Sequence, residues 1–149
     1  MRIYLFNILT PRGPFVSIEF PLVNKRTSFG IVPDSLIPVE ILSKFGYQTL
    51  QFILDTGADF TMLPHHMADI IGIDLTTCPQ SISYGIEGDG VKVYMSKIQI
   101  KIGQVELEVR CLFSEEETTP YLLGRADIFS TFNIIFDNQD KKIRLSNIK

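Results

Sequence analysis

Short apolar runs rich in Ile, Val, Phe and Tyr are separated along this chain by Gly, Pro, Asn and Asp, the pattern of a mainly β protein. The spacing predicts strands at residues 3–9, 15–23, 37–42, 49–54, 91–102, 105–113, 133–136 and 142–145. The plainest alternation lies in residues 91–113. Val91, Val93 and Met95 fall on one parity, then Ile98, Ile100 and Ile102 on the other, which predicts a β-bulge or sharp twist near Ser96 and Lys97. Gly103-Gln104 reads as a two-residue type II′ turn into the next strand, where Val105, Leu107, Val109, Cys111 and Phe113 alternate. Pro64 opens a predicted helix at 65–71 that Gly72 ends, and a second short helix is predicted at about 126–132, with Asp127 in its first turn. Residues 114–120 form a polar loop.

Length and charge narrow the possibilities. The 149 residues fit one compact domain, long enough to hold a core without covalent staples. A net charge of −3 argues against binding nucleic acid through counterion release. Cys78 and Cys111 belong to no CxxC pair and read as reduced, partly buried thiols. The start of the chain lacks the length and cleavage site of a signal peptide, and no run approaches the ~18 apolar residues that span a bilayer. The expectation is a cytoplasmic protein with no membrane partner.

Candidate chemistry sits at Phe52-Ile-Leu-Asp-Thr-Gly-Ala-Asp-Phe-Thr-Met-Leu-Pro64. An apolar strand delivers Asp55 to the rim of the core, where Thr56 can support the turn and Gly57 can bring its N–H close to the carboxylate. Such an oriented carboxylate suits one half of an acid/base pair. A lone D-[ST]-G is a weak signal, and a strand-to-turn Asp-Thr-Gly without chemistry is its bland counterpart. Two further segments accompany it: Tyr84-Gly-Ile-Glu-Gly-Asp-Gly90, a glycine-rich hairpin tip, and Leu122-Leu-Gly-Arg-Ala-Asp127.

In this order and spacing the three segments resemble the retropepsin family of homodimeric aspartic proteases, over residues 37 to about 145. The resemblance implies a closed, folded β-barrel with one or two short helices, active as a two-fold dimer. It implies that Asp55 is catalytic, that Thr56 supports the site across the two-fold axis, and that Gly57, Ala58 and Asp59 bind substrate. Gly85 and Ile86 match the tip of a flap over bound peptide. Gly124 and Arg125 match the motif in which the arginine pairs with the acid four residues after the catalytic one, here Asp59. Glu87 in place of a flap glycine, and the extra Asp89-Gly90, depart from the family pattern. The tail at 133–145 looks more like a terminal hairpin suited to an inter-subunit sheet. Residues 1–36 lie outside a minimal retropepsin and read as a β extension packed on the domain at 37–149.

An aspartic protease needs two carboxylates that share a proton, and this chain holds a single D-[ST]-G, so a homodimer is the implied partner state. The implied activity is an endopeptidase acting on peptide or protein through water, with no cofactor and no metal. The alternative is a dimeric β module of the same architecture that holds an extended peptide without cutting it. His65 and His66, the acidic run at 115–117 and Lys25-Arg26 read as ordinary surface features, and Asp127 as a helix cap.

Overall fold

A computed structural model describes residues 2–6, 15–85 and 88–148. The strands are β1 (Arg2–Phe6), β2 (Phe15–Pro21), β3 (Val23–Thr27), β4 (Gly30–Asp34), β5 (Leu36–Ser43), β6 (Gly46–Leu54) and β7 (Thr61–Pro64). Helix α1 (His66–Ile71) follows, and a 3-10 turn at Leu75–Thr77. The chain continues through β8 (Gln80–Tyr84), β9 (Gly90–Ile102), β10 (Val105–Ser114), β11 (Leu122–Leu123), β12 (Phe132–Asp137) and β13 (Lys142–Asn147). The protein is mainly β. No described helix is long and apolar enough to cross a membrane.

Six strands close into a barrel in the order β10-β7-β11-β6-β5-β9, with β9 returning to pair β10. β8 adds to the free edge of β9 beyond β5, so β8 and the first half of β9 project as a hairpin. Alternation sets which side chains enter the barrel. Along β5, Ile37, Val39 and Ile41 are buried, while Leu36, Pro38 and Glu40 are half-buried and Leu42 is exposed. Phe52 and Leu54, Ile98, Ile100 and Ile102, and Val109, Cys111 and Phe113 complete the same core. The second sheet runs β1-β2-β13-β12, interleaving the two ends of the chain, and its Ile18, Phe20, Ile143 and Leu145 join that core. β3 and β4 form a separate two-stranded ribbon. The residue at the turn between β9 and β10 must be glycine. Gly103 has φ 58°, a Cβ there would meet Ile18 at 2.9 Å, and Gln104 has no positive φ, as a type II′ turn requires.

Two local expectations, the bulge in β9 and the second helix, fail. The β9–β10 register runs unbroken from Val105↔Ile102 to Ser114↔Val93, so no bulge interrupts it at Ser96 and Lys97. The parity switch has another cause. Tyr94, Ile98, Ile100 and Ile102 keep to the core face throughout, while Val93 is buried on the opposite face beside Ser114. In the first half of β9 both faces are therefore covered, one at Val93 and the other at Tyr94. The second expected helix is also absent: residues 126–131 form successive turns, with Phe129 N–H donating to the Arg125 carbonyl and Phe132 N–H to the Ile128 carbonyl. Asp127 has φ 68°, which no right-handed helix contains. Helix α1 starts and ends as expected, with Gly72 in the left-handed conformation at φ 97°. Both cysteines are free, and burial pushes the Cys111 thiol far up.

A charge cluster stitches the second sheet. Glu19 on β2 takes Lys142 Nζ at 3.1 Å and Arg144 Nε at 3.1 Å, both from β13, and Arg144 also reaches Asp137 and Asp140. The Lys142 side-chain bond, then that of Arg144, holds the Glu19 carboxyl below its ordinary value of 4.5. Its stabilising effect is therefore complete above that ordinary value and is lost as pH falls through the lowered folded one. Thermal unfolding followed by circular dichroism from pH 7 to pH 3 should show a midpoint that drops on acidification, and Glu19→Gln should flatten that drop. Equal pH dependence in the two proteins would exclude the cluster as its source.

Candidate active site

Asp55 directly follows strand β6 and opens the six-residue connection to β7. The connection is held by the stretch around β11, which lies between β6 and β7, parallel to β6 (Leu123↔Leu54) and antiparallel to β7 (Leu122↔Met62). Asp55 N–H donates to the Leu123 carbonyl at 2.9 Å. Further on, Arg125 N–H donates to the Ala58 carbonyl and Ala126 N–H to the Asp59 carbonyl, each at 2.9 Å. Both ends of the loop are thus anchored to residues 123–126 by backbone bonds, which are indifferent to side-chain rotamers and leave little freedom.

Within the loop the glycine acts as its position suggests. Gly57 N–H donates to Asp55 Oδ1 at 2.9 Å, and a Cβ on Gly57 would stand 3.2 Å from that same oxygen. The Ala58 amide donates to the Asp55 carbonyl at 3.3 Å and closes the turn. Asp55 and Ala58 are half-buried, whereas Thr56, Gly57 and Asp59 are exposed. The loop therefore offers an open face with one carboxylate at its edge.

Gly124 admits no other residue at its place. A Cβ there would lie 2.3 Å from both the carbonyl carbon and the oxygen of Phe60, which are backbone atoms that cannot swing aside. The Gly124 N–H also approaches the buried Thr61 hydroxyl at 3.4 Å. Next to it, the Arg125 guanidinium forms an ion pair with Asp59, joining positions 66 residues apart. The structure thus brings Asp55, Thr56, Gly57, Ala58, Asp59, Gly124 and Arg125 into one neighbourhood.

The hairpin of β8 and β9 carries the remaining candidates. Gly85 is exposed at its tip, and Gly88, at φ 83°, donates its N–H to the Gly85 carbonyl at 3.2 Å. Ile86 and the unusual Glu87 lie outside the described residues. The base of the hairpin is tied to the polar loop: Tyr94 hydroxyl lies 2.6 Å from Glu115, whose carboxyl that contact holds below its usual range.

Sequence reasoning missed the partners of three residues. His65, the N-cap of α1, and His66, its first residue, share one partner: their Nδ1 atoms reach the two oxygens of Glu117. Asp127 caps no helix: its carboxylate accepts from Arg110 N–H at 2.8 Å, Nε at 3.0 Å and Nη2 at 3.2 Å. No local motif announces a pairing between β10 and the turn after β11. Among the described residues no group of three His, Cys, Asp or Glu is arranged to hold a metal ion.

The fit of Gly124 against Phe60 has a measurable consequence. Gly124→Ala should lower folding stability by about 1–3 kcal/mol, the usual cost of an extra methyl in a site with no room. Urea denaturation checks this, and an unchanged midpoint would mean the two backbones are not in contact.

The protein has solved relatives in shape. A retropepsin-like aspartic protease from Rickettsia conorii matches over 89% of this chain and 92% of its own, with a TM-score of 0.60 at 18% identity. The EIAV protease, solved in complex with the inhibitor HBY-793, matches over 62% of this chain and 82% of its own, with a TM-score of 0.48 at 21% identity. A search of curated proteins found no significant sequence match. The family model described as gag-polyprotein putative aspartyl protease covers residues 43–128, which include the Asp55 loop, the β8–β9 hairpin and the Gly124-Arg125 pair. Residues 43–128 are more than half of the chain, and the barrel is retropepsin-like: this chain belongs to the gag-polyprotein aspartyl protease family.

Proposed function

We propose that the protein is an aspartic endopeptidase whose active site forms when two copies bring their Asp55 side chains together. The observation that carries this reading is the held carboxylate: Asp55 sits on an open loop face with Gly57 N–H on its Oδ1, and the chain has no second D-[ST]-G to complete a pair. A two-fold axis beside the loop supplies the missing acid from the partner, since an isologous interface places identical residues opposite one another.

Two carboxylates this close share one proton, because both cannot ionise at that separation. The ionised one takes a proton from a water molecule as its oxygen adds to the scissile carbonyl carbon. The protonated one gives its proton to the carbonyl oxygen. The tetrahedral diol then breaks its C–N bond, the amine leaves with a proton, and the dyad returns to one shared proton. No covalent enzyme intermediate forms. In this scheme Thr56, Gly124 and Arg125 support the loop, Gly57, Ala58 and Asp59 receive the substrate backbone, and the hairpin tip at Gly85 and Ile86 closes over it. Substrate-binding and flap roles rest on the retropepsin likeness and on the exposure of Gly57, Asp59 and Gly85.

Asp55→Asn is the direct test. The variant should fold and self-associate as the parent does, by circular dichroism and light scattering, while peptide cleavage falls by at least about 10³-fold, the scale seen when a catalytic group is removed. Cleavage at the parental rate would end the assignment. The parent should also show a bell-shaped rate against pH, with limbs that belong to the pair of carboxylates rather than to either one. Peptide binding without cleavage at every pH would select the non-catalytic module instead.

A further inference from the structure

Beside the Asp55 loop lies a contact that the proposed chemistry does not use. Asp127 adopts φ 68°, a left-handed backbone that aspartate and asparagine tolerate better than other side chains. That conformation aims its carboxylate at β10, where one acid collects three donors from Arg110: the backbone N–H, Nε and Nη2. The guanidinium carbon in turn lies 5.4 Å from the centre of the Phe60 ring, within cation–π range. Phe60 belongs to the Asp55 loop. It stands between Asp59 and Thr61, and its backbone is the surface against which Gly124 packs.

An ordinary surface ion pair contributes little, and several such pairs link β9 and β10, as Lys101 and Glu106 do at 3.7 Å. The Arg110–Asp127 pair differs in three ways. The arginine is engaged through its side-chain fork and its own backbone at once. The aspartate occupies a backbone conformation that a helix would have avoided. The arginine's guanidinium also lies over the Phe60 ring of the loop that carries Asp55. Arg110 also holds the Asp127 carboxyl below the usual aspartate range.

We propose that Arg110 and Asp127 are positioning residues: together they form a bracket that fixes Phe60, and through Phe60 holds the Asp55 loop in the geometry needed for cleavage. The kinetic side of this inference rests on the endopeptidase reading; its structural side does not. Arg110 braces the loop from β10 through the Phe60 ring, in addition to the backbone bonds from residues 123–126. Losing the bracket should leave the fold and let the loop drift.

The test uses the full chain with Arg110→Gln, Arg110→Lys and Asp127→Asn, the last retaining a residue that accepts the left-handed backbone. Glu106→Gln, on the same pair of strands, serves as the control. Hydrogen exchange is followed at the Arg125 and Ala126 amides, which hold the loop, and kcat and KM are measured on a peptide substrate. In Arg110→Gln and Asp127→Asn, exchange at these two amides should rise about tenfold, and kcat should fall about tenfold or more with KM within about twofold, the signature of a misplaced catalytic group. Arg110→Lys should recover part of both losses, and Glu106→Gln should match the parent. Parental exchange and kcat in Arg110→Gln would overturn the bracket, as would a loss of kcat matched by an equal rise in KM. If Asp127→Asn does not fold, Arg110→Gln decides alone. If the parent itself cleaves nothing, the endopeptidase reading falls, and the exchange rates still decide whether the bracket exists.

Discussion

The structure depends on a strand of two residues. β11 lies between β6 and β7, and the stretch that contains it takes up three backbone groups of the Asp55 loop: the amide of Asp55 and the carbonyls of Ala58 and Asp59. A loop of this shape on the surface would ordinarily be among the softer parts of a protein. Here its polar backbone is satisfied from below, and the absent side chain of Gly124 lets two main chains approach to within contact. The carboxylate is thus held by the barrel itself. A binding or catalytic group held on strands is placed more accurately than one held by a free loop.

Around this anchor the side chains add direction. Gly57 orients one carboxylate oxygen, Arg125 restrains Asp59, and Arg110 lies over Phe60. The last two contacts come from the segment after β11 and from β10, both distant in sequence from Asp55. They converge because the barrel closes on itself, with β9 pairing β5 on one edge and β10 on the other. Fold and site are therefore one problem in this protein, and the family's motif is visible as a motif only because the topology forces its pieces together.

That explains what was legible in the sequence. The long strands β5, β6, β9 and β10 declare themselves through their apolar runs, and Asp55-Thr-Gly57 with Gly124-Arg125 mark the candidate site. β7 and β11 do not, since four and two residues are too short to show a period and are fixed by neighbours rather than by their own composition. β3, β4 and β8 bury too little to alternate. The parity switch in β9 reads as a bulge if one assumes that a strand buries a single face, which fails where Val93 and Tyr94 are both covered. Asp127 reads as a helix residue because the αL conformation leaves no local trace; its reason lies at Arg110, seventeen residues earlier.

The interleaving of the chain ends has a consequence in time. β2 meets β13, placing Glu19 beside Arg144, 125 residues further on, and the Asp55 loop waits for residues 123–126. Contacts of such long sequence separation form late and slowly. During synthesis the acid-bearing turn emerges well before the strand that must hold it, so a partly made chain carries Asp55 without its support. The loop reaches its final shape only once residues 123–126 have left the ribosome and been laid against it.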